Sequence, residues 1–133
     1  MATQKKILGD LGEKAAARSL SSLGLKIIAR NWRCRFGELD IVAAKQKGFW
    51  RPKIIELVFV EVKSGFIDGE IGPEKNITFW KKQKMARAIQ SFLSQNSRRV
   101  PIDVTLKAVA LVALFNRFYL LEKIEEYPIF FYE

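Results

Sequence analysis

Two stretches of this chain, Gly37-Glu38-Leu39-Asp40-Ile41-Val42 and Leu57-Val58-Phe59-Val60-Glu61-Val62-Lys63, decide the fold. Both are apolar and rich in β-branched residues, and both have the length of β-strands. Acids and a lysine interrupt them at positions where the interior of a sheet is normally apolar. Charges that leave water are destabilising unless a partner compensates them. The interruptions therefore indicate a functional site built on the sheet.

Strand geometry predicts which of these charges meet. Because side chains alternate along a strand, Glu38 and Asp40 share one face of the first strand, and the apolar residues at 39 and 41 share the other. Glu61 and Lys63 likewise share a face of the second strand. If the two strands pair, three carboxylates and one ammonium converge, and a divalent metal ion is the natural partner of such a cluster.

The chemistry of this cluster is typical of phosphodiester hydrolysis. Mg²⁺ takes oxygen ligands from one or two carboxylates, water and substrate phosphates. We expect Asp40 and Glu61 to hold Mg²⁺ or Mn²⁺, and Lys63 to orient or deprotonate the attacking water and offset developing negative charge. The alternative is an ion pair of Glu61 with Lys63 that has no functional role.

The composition is strongly basic. The 133 residues include 23 Lys and Arg against 14 Asp and Glu, a net charge of +9, which favours a polyanionic partner through counterion release. Nucleic acid is the expected partner, and an anionic membrane surface is the main competitor. Arg33 and Arg35 are candidates for phosphate contact, whereas Trp32 beside them is expected to pack in the core.

Several chemistries and locations are excluded by what the chain lacks. It has no histidine and one cysteine, Cys34, so Cys/His zinc sites, disulfides and Ser-His-Asp triads cannot form within it. The N-terminal segment has no signal-peptide hydrophobic region. The longest apolar run, 108–115, falls far short of the roughly 20 residues that span a bilayer. We expect a cytoplasmic protein without a membrane role.

Periodicity predicts a single α/β domain over residues 1–133, with a mixed β-sheet flanked by helices in the order α-β-β-β-α-β-β. The second helix should connect the third and fourth strands through a right-handed crossover. The expected elements are a helix over 3–23, strands over 25–30, 38–44 and 54–63, a helix over 78–95, and strands over 102–114 and 117–121.

The two predicted helices carry further candidates. Gly9 and Gly12 suggest that the first helix closely approaches another backbone, and Glu13 lies beside its apolar stripe, where it can reach the sheet or remain solvated. That stripe comprises Leu8, Leu11, Ala15 and Leu23. On the second helix, Lys81 precedes Met85 by four residues and so projects along the inward stripe, whereas Lys84 turns to its side. A lysine that only covers core surface is the alternative for Lys81.

The motif residues resemble the YraN-like uncharacterised bacterial proteins, a group placed in the restriction-endonuclease-like PD-(D/E)xK nuclease superfamily. The resemblance implies a restriction-endonuclease-like fold and marks Asp40, Glu61 and Lys63 as a catalytic core, with Glu13 as an additional acid and Lys81 as a basic residue near the site. This chain departs from the family pattern at Gly65 and at Pro101-Ile102. The matching blocks are Gly12-Glu13, 29–40, 58–63, Ile77-Thr78, Lys81 and Asp103-Val104.

The sequence thus predicts a Mg²⁺-dependent nuclease that cleaves nucleic acid, with DNA favoured, Asp40 and Glu61 as metal ligands, and Lys81, Arg33 and Arg35 as substrate contacts. One alternative is a non-cleaving nucleic-acid-binding module of the same fold. Another is an interaction protein that forms a homodimer through its aromatic C-terminal tail, 127–132, which is too apolar to be left in water.

Overall fold

Two helices and five strands make up the described part of the fold. The computed structural model describes residues 3–66, 79–115 and 120–127. The elements are α1 Gln4–Ser22, β1 Lys26–Cys34, β2 Gly37–Lys47, β3 Lys53–Phe66, α2 Phe79–Gln95, β4 Thr105–Phe115 and β5 Leu120–Tyr127. This order confirms the predicted α-β-β-β-α-β-β arrangement.

The strands form one sheet in the order β1-β2-β3-β4-β5. The β1–β2, β2–β3 and β4–β5 pairs are antiparallel, whereas β3 and β4 are parallel. A parallel pair needs a long crossover connection, and the segment between β3 and β4 contains α2. The mixed sheet expected from the sequence is therefore confirmed.

Each helix covers one face of the sheet. We call the two groups of buried residues the α1-side cluster, which includes Leu20, Val60 and Leu111, and the α2-side cluster, which includes Phe59 and Phe92. Phe59 and Val60 are adjacent on β3, so the two clusters lie on opposite faces. None of the helices in the described ranges is long and apolar enough to cross a membrane.

Trp32 packs against the α2-side cluster, as expected. Its ring meets Phe92 edge to face with centroids 5.3 Å apart. Phe92 also meets Phe59 edge to face at 5.8 Å. This geometry suits the quadrupoles of aromatic rings, and it fixes α2 over the end of β1.

The start and end of α1 follow local signals, but its buried stripe differs from the prediction. Thr3 caps the helix, since its Oγ1 accepts the Lys6 N–H at 3.1 Å, and the chain leaves the helix at Gly24 with φ of 81°. Leu11 is 46% exposed and Leu23 is 65% exposed, so their predicted burial is wrong. The helix instead buries its small residues Ala15, Ala16 and Ala17 together with Leu8, Gly12 and Leu20.

The two glycines of α1 differ. A Cβ on Gly12 would collide with Ser64 Oγ of β3 and lie 3.0 Å from Ser64 Cβ. Gly12 therefore allows the close approach that the sequence predicted. No atom lies within 4 Å of a Cβ built on Gly9, so the prediction for that residue is wrong.

Several strand limits differ from the predicted ones. β1 continues to Cys34 instead of ending at residue 30, and β4 begins at Thr105 instead of residue 102. β5 extends to Tyr127 although Glu122, Glu125 and Glu126 have poor strand propensity, because its backbone pairs with β4 from Ala108 to Phe115. β3 continues to Phe66 instead of ending at residue 63, and residues 128–132 of the predicted aromatic tail lie outside the described residues.

Candidate functional site

The site lies where β2 and β3 stop pairing. Their ladder reaches Ile41 opposite Val60 at this end. Asp40 and Glu61 come next on the two strands. The Val62 N–H donates to Asp40 Oδ2 at 2.8 Å, so a side-chain oxygen accepts a bond that a strand carbonyl would otherwise accept. This bond fixes the carboxylate of Asp40 beside β3.

The backbone around Asp40 is irregular. Asn31 of β1 falls opposite Asp40, between the pairs Arg30–Ile41 and Trp32–Leu39, and has φ of 50°. Asparagine tolerates this left-handed conformation better than most residues. Leu39 packs in the α2-side cluster, whereas Ile41 packs in the α1-side cluster. The expectation that residues 39 and 41 share a face is therefore wrong, because the strand does not alternate regularly through Asp40.

A shallow pocket of about 170 Å³ opens at this irregularity. β2 and β3 supply its acids, and α2 supplies a lysine and a methionine. The lining residues are Gly37, Glu38, Leu39, Asp40, Val60, Glu61, Lys84 and Met85. Asp40 and Glu61 thus reach one pocket, as the spacing of the sequence motif predicted.

Two contacts connect further charged residues to the pocket. Lys63 Nζ lies 3.6 Å from Glu61 Oε1, and the Lys63 side chain is only 9% exposed. Asn31, oriented so that its amide nitrogen donates, bridges Glu13 Oε1 at 3.0 Å and Glu38 Oε1 at 3.1 Å. Glu13 of α1 is thereby held at the same end of the sheet as Asp40.

The electrostatics of Asp40 reflect this crowding. The pKa of Asp40 is raised from 3.8 to about 6, mainly by burial and further by the negative charges of Glu61, Glu13 and Glu38. The hydrogen bond from Val62 acts in the opposite direction and lowers it. A carboxyl group that is buried beside other acids resists ionisation unless a cation is close.

Glu38, Asp40 and Glu61 all line this pocket, but the three do not form one set of metal ligands. In the described part of the chain, no three acidic or cysteine side chains are close enough to hold a metal ion together. Glu38 is engaged instead by Asn31 and by Arg33, whose Nε lies 3.6 Å from Glu38 Oε2. The pocket therefore offers Asp40 and Glu61 as a pair of carboxylates, and this is a sufficient protein contribution for Mg²⁺, which keeps several water ligands.

The three predicted substrate contacts differ in what the structure shows of them. Arg33 pairs with the pocket residue Glu38, and the Arg35 guanidinium lies 4.7 Å from the centre of the Phe36 ring. The Arg87 guanidinium lies 6.0 Å from the same ring. Lys81 is part of α2, but its side chain is outside the described structure.

Lys84 is the pocket residue that sequence reasoning missed. The prediction placed it on the side of α2, yet it lines the pocket beside Met85. A usable signal was present, because Lys84 precedes the fully buried Ala88 by four residues and so shares its face of the helix. Asn31 was also missed, and nothing in its local sequence indicates that it bridges two acids.

The fold and the pocket define a mixed α/β protein with an acidic cleft at one end of its sheet and basic residues around that cleft. The sequence profile described as Uncharacterised protein family UPF0102 matches residues 12–113. A UPF0102 protein of Desulforamulus reducens is 34% identical over 117 residues, which are 88% of each chain. A UPF0102 protein of Rhodococcus opacus is 42% identical over 100 residues, which are 73% of this chain and 78% of the relative. The chain therefore belongs to the UPF0102 family, the YraN-like group that its motifs resemble.

Proposed function

We propose that this protein is a restriction-endonuclease-like nuclease that hydrolyses phosphodiester bonds of nucleic acid, with DNA as the favoured substrate and Mg²⁺ or Mn²⁺ as cofactor. The observation that carries the proposal is the meeting of Asp40, Glu61 and Lys63 where the β2–β3 ladder ends. Glu56, Lys107 and Glu126 also meet on the sheet, but Lys107 and Glu126 are 40% and 65% exposed, whereas Lys63 is only 9% exposed.

The donor set fits a hard divalent cation. Asp40 and Glu61 line the same pocket and are the residues that would hold the ion. Burial and neighbouring acids make the charge of Asp40 unfavourable, and a bound cation would remove that penalty. When bound, Mg²⁺ polarises a phosphoryl oxygen and makes a coordinated water more acidic.

Two lysines supply positive charge at this end of the sheet, Lys63 from β3 and Lys84 from α2. Lys63 contacts Glu61 and is almost buried, so its ammonium is well placed to orient a water molecule and offset charge that develops on the phosphate. Lys84 reaches the pocket from α2 and can bind a non-bridging phosphate oxygen as a point charge. Glu13 and Asn31 position the acids of the site, since Asn31 bridges Glu13 and Glu38.

Calorimetry and cleavage assays on matched variants test this proposal. The wild type is expected to bind Mn²⁺ and to cut plasmid or oligonucleotide DNA, whereas Asp40→Ala and Glu61→Ala should lose both properties. Lys63→Met should keep metal binding but lose about 10²- to 10³-fold in cleavage rate, the usual effect of removing one charge-stabilising group.

Lys53→Met is the control for Lys63→Met, because Lys53 also forms an ion pair, with Asp103 at 3.7 Å, but is 59% exposed and lies at the other end of β3. It should cleave at the wild-type rate. Absence of metal binding by the wild type at millimolar Mn²⁺ would contradict the proposal.

The Glu61–Lys63 contact also supports a second candidate, a nucleic-acid-binding module that does not cleave. In this function the ion pair satisfies both groups without a metal ion. Binding that weakens steeply with salt, together with no product at any Mg²⁺ or Mn²⁺ concentration, would favour this candidate.

A further inference from the structure

Two large aromatic side chains are exposed at the tip of the β2–β3 hairpin. Phe49 is 91% exposed and Trp50 is 86% exposed. Their rings meet edge to face with centroids 5.7 Å apart and an interplanar angle of 85°. Burial of such rings is strongly favourable, so their exposure at a loop tip needs an explanation outside core packing.

The charges on the hairpin tip itself are positive, whereas the nearest acids, Glu56 and Asp103, lie at its base. From residue 14 to residue 55 the chain has ten Lys and Arg and only two acids, Glu38 and Asp40, both at the pocket. Lys45, Lys47 and Arg51 are exposed at the hairpin tip or beside it. The hairpin therefore offers aromatic faces within a positive field, a combination typical of surfaces that bind single-stranded nucleic acid.

The edge strand β1 connects the tip to the pocket. It ends the described sheet on one side and carries the exposed cations Lys26, Arg30 and Arg33. Lys26 lies opposite Ala44, near the tip, and Arg33 lies opposite Glu38, at the pocket. Asp40 and Gly48 are eight residues apart in the sequence, which corresponds to roughly 26 Å at about 3.3 Å per residue. This distance corresponds to about seven to eight stacked nucleotides at about 3.4 Å each.

We propose that this edge binds one unpaired strand of nucleic acid, with its phosphates on Lys26, Arg30 and Arg33 and an unpaired base stacked on Trp50. The inference deepens the proposed function and rests on nucleic acid as the partner of the pocket. It assigns a single-stranded segment about seven nucleotides from the scissile bond as a feature of the substrate.

Exposed aromatics with cations also occur on proteins that bind anionic membranes. The distribution of charge favours nucleic acid, because the cations continue along β1 for the length of the sheet to the pocket, beyond the reach of a lipid surface that meets the tip. Ile102 can distinguish a membrane site from a nucleic-acid site. It is fully exposed, and the adjacent Asp103 contacts Lys53 at the base of the hairpin. An aliphatic side chain inserts into lipid but does not stack on a base.

Fluorescence anisotropy with a labelled oligothymidine of about 20 nucleotides, longer than the roughly 16 that one small domain occupies, tests the proposal. EDTA is present so that cleavage has no part in the result. Trp50→Ala should weaken binding about five- to tenfold, the loss expected for one base-stacking contact, whereas Ile102→Ala should change it less than about twofold. All these side chains are exposed, so the variants should fold, and thermal melting checks this.

The edge strand is tested with a pair of equal charge changes. Lys26→Gln combined with Arg30→Gln should weaken binding. It should also lower the steepness of the plot of log K against log salt concentration by about 1.4, since each of the two lost phosphate contacts contributes about 0.7 to that slope. Arg98→Gln with Arg99→Gln, on the exposed connection after α2, should leave both unchanged.

Equal losses in the two double variants, or wild-type binding by Trp50→Ala, would overturn the proposal. The proposal would also be overturned if the Lys26 and Arg30 double variant aggregated without a change in affinity. Those cations would then serve only to prevent edge-to-edge association of β1. If vesicles that contain phosphatidylserine bind instead and Ile102→Ala matters as much as Trp50→Ala, the surface is a membrane site. Loss of cleavage would contradict the nuclease proposal but not the binding of a single strand at this edge. Loss of oligonucleotide binding would contradict the single-strand proposal, and metal binding at the pocket is then measured separately.

Discussion

Asp40 is the residue whose environment differs most from that of an ordinary surface acid. It accepts the Val62 N–H, and burial with three neighbouring carboxylates raises its pKa from 3.8 to about 6. The folded protein therefore holds this proton more tightly than the unfolded chain does. It follows that ionisation of Asp40 destabilises the fold, and that this penalty grows as the pH rises from about 4 to about 6.

Asp40→Asn should stabilise the metal-free protein at neutral pH. The amide keeps the shape and an acceptor oxygen for Val62 but cannot ionise. A pKa difference of about 2 units corresponds to about 3 kcal/mol at most, so we expect the free energy of unfolding to rise by about 1–3 kcal/mol near pH 7.5. Near pH 4 the gain should almost vanish, because wild-type Asp40 is then protonated. Urea denaturation in EDTA at the two pH values measures both quantities.

Asp103→Asn serves as the control for this comparison. Asp103 forms an ion pair with Lys53, but its side chain is 72% exposed. Asp103→Asn should therefore not gain stability relative to the wild type between pH 4 and pH 7.5. A loss of stability by Asp40→Asn near pH 7.5 would mean that the ionised carboxylate already has a compensating partner in the metal-free protein.

At the scale of the element, α1 shows how two glycines in one helix can have opposite effects. Gly9 has open space where a methyl group would stand, whereas Gly12 lies against Ser64 of β3. Small residues on the rest of this helix face, Ala15, Ala16 and Ala17, are also buried. The helix therefore lies close to the sheet, and this closeness holds Glu13 near Asn31 and the acids of the pocket.

Gly9→Ala should stabilise the protein by about 0.5–1 kcal/mol, since alanine is the better helix former and meets no atom there. Gly12→Ala should destabilise it by about 1–3 kcal/mol, the usual cost of overpacking, because its methyl group would collide with Ser64 Oγ. Urea denaturation of both variants gives the two free energies.

The double variant Gly12→Ala with Ser64→Gly tests the cause of the second effect. Removal of the Ser64 side chain should recover much of the lost stability, which a double-mutant cycle records as a coupling energy. Additive effects of the two substitutions would contradict the packing explanation.

At the scale of the whole molecule, the charge distribution separates a small acidic pocket from a basic surround. The net charge is +9, yet Asp40, Glu61 and Glu38 line one pocket. The positive surround attracts a polyanion over a distance of about one Debye length, roughly 8 Å at physiological salt, and the acids provide the local site for a cation.

Mn²⁺ should therefore stabilise the whole fold. A ligand at about ten times its Kd adds about 1.4 kcal/mol to the stability of the state that binds it, which corresponds to roughly 5 °C in Tm for a domain of this size. Differential scanning fluorimetry near pH 7.5 measures the shift, and near pH 5 it should be smaller because protons compete for Asp40. An equal shift in Asp40→Ala would show that the stabilising ion binds elsewhere.

The sequence by itself determined the order of the elements and the placement of Asp40, Glu61 and Lys63 at one end of neighbouring strands, because strand length and the spacing of charged residues are local properties of the chain. It also determined the packing of Trp32 and the capping of α1, which depend on residue type. The exposure of Leu11 and the length of β5 depend on which surfaces meet in three dimensions, so periodicity and propensity predicted them wrongly.

Only the tertiary structure decided which side chains share the pocket. Lys84 reaches it because of how α2 packs over the sheet, and Glu38, which also lines it, is held by Arg33 and Asn31. Leu39 and Ile41 pack on opposite faces because the strand is irregular at Asp40. These contacts join distant parts of the chain, and their free energies depend on geometry that a local pattern does not contain.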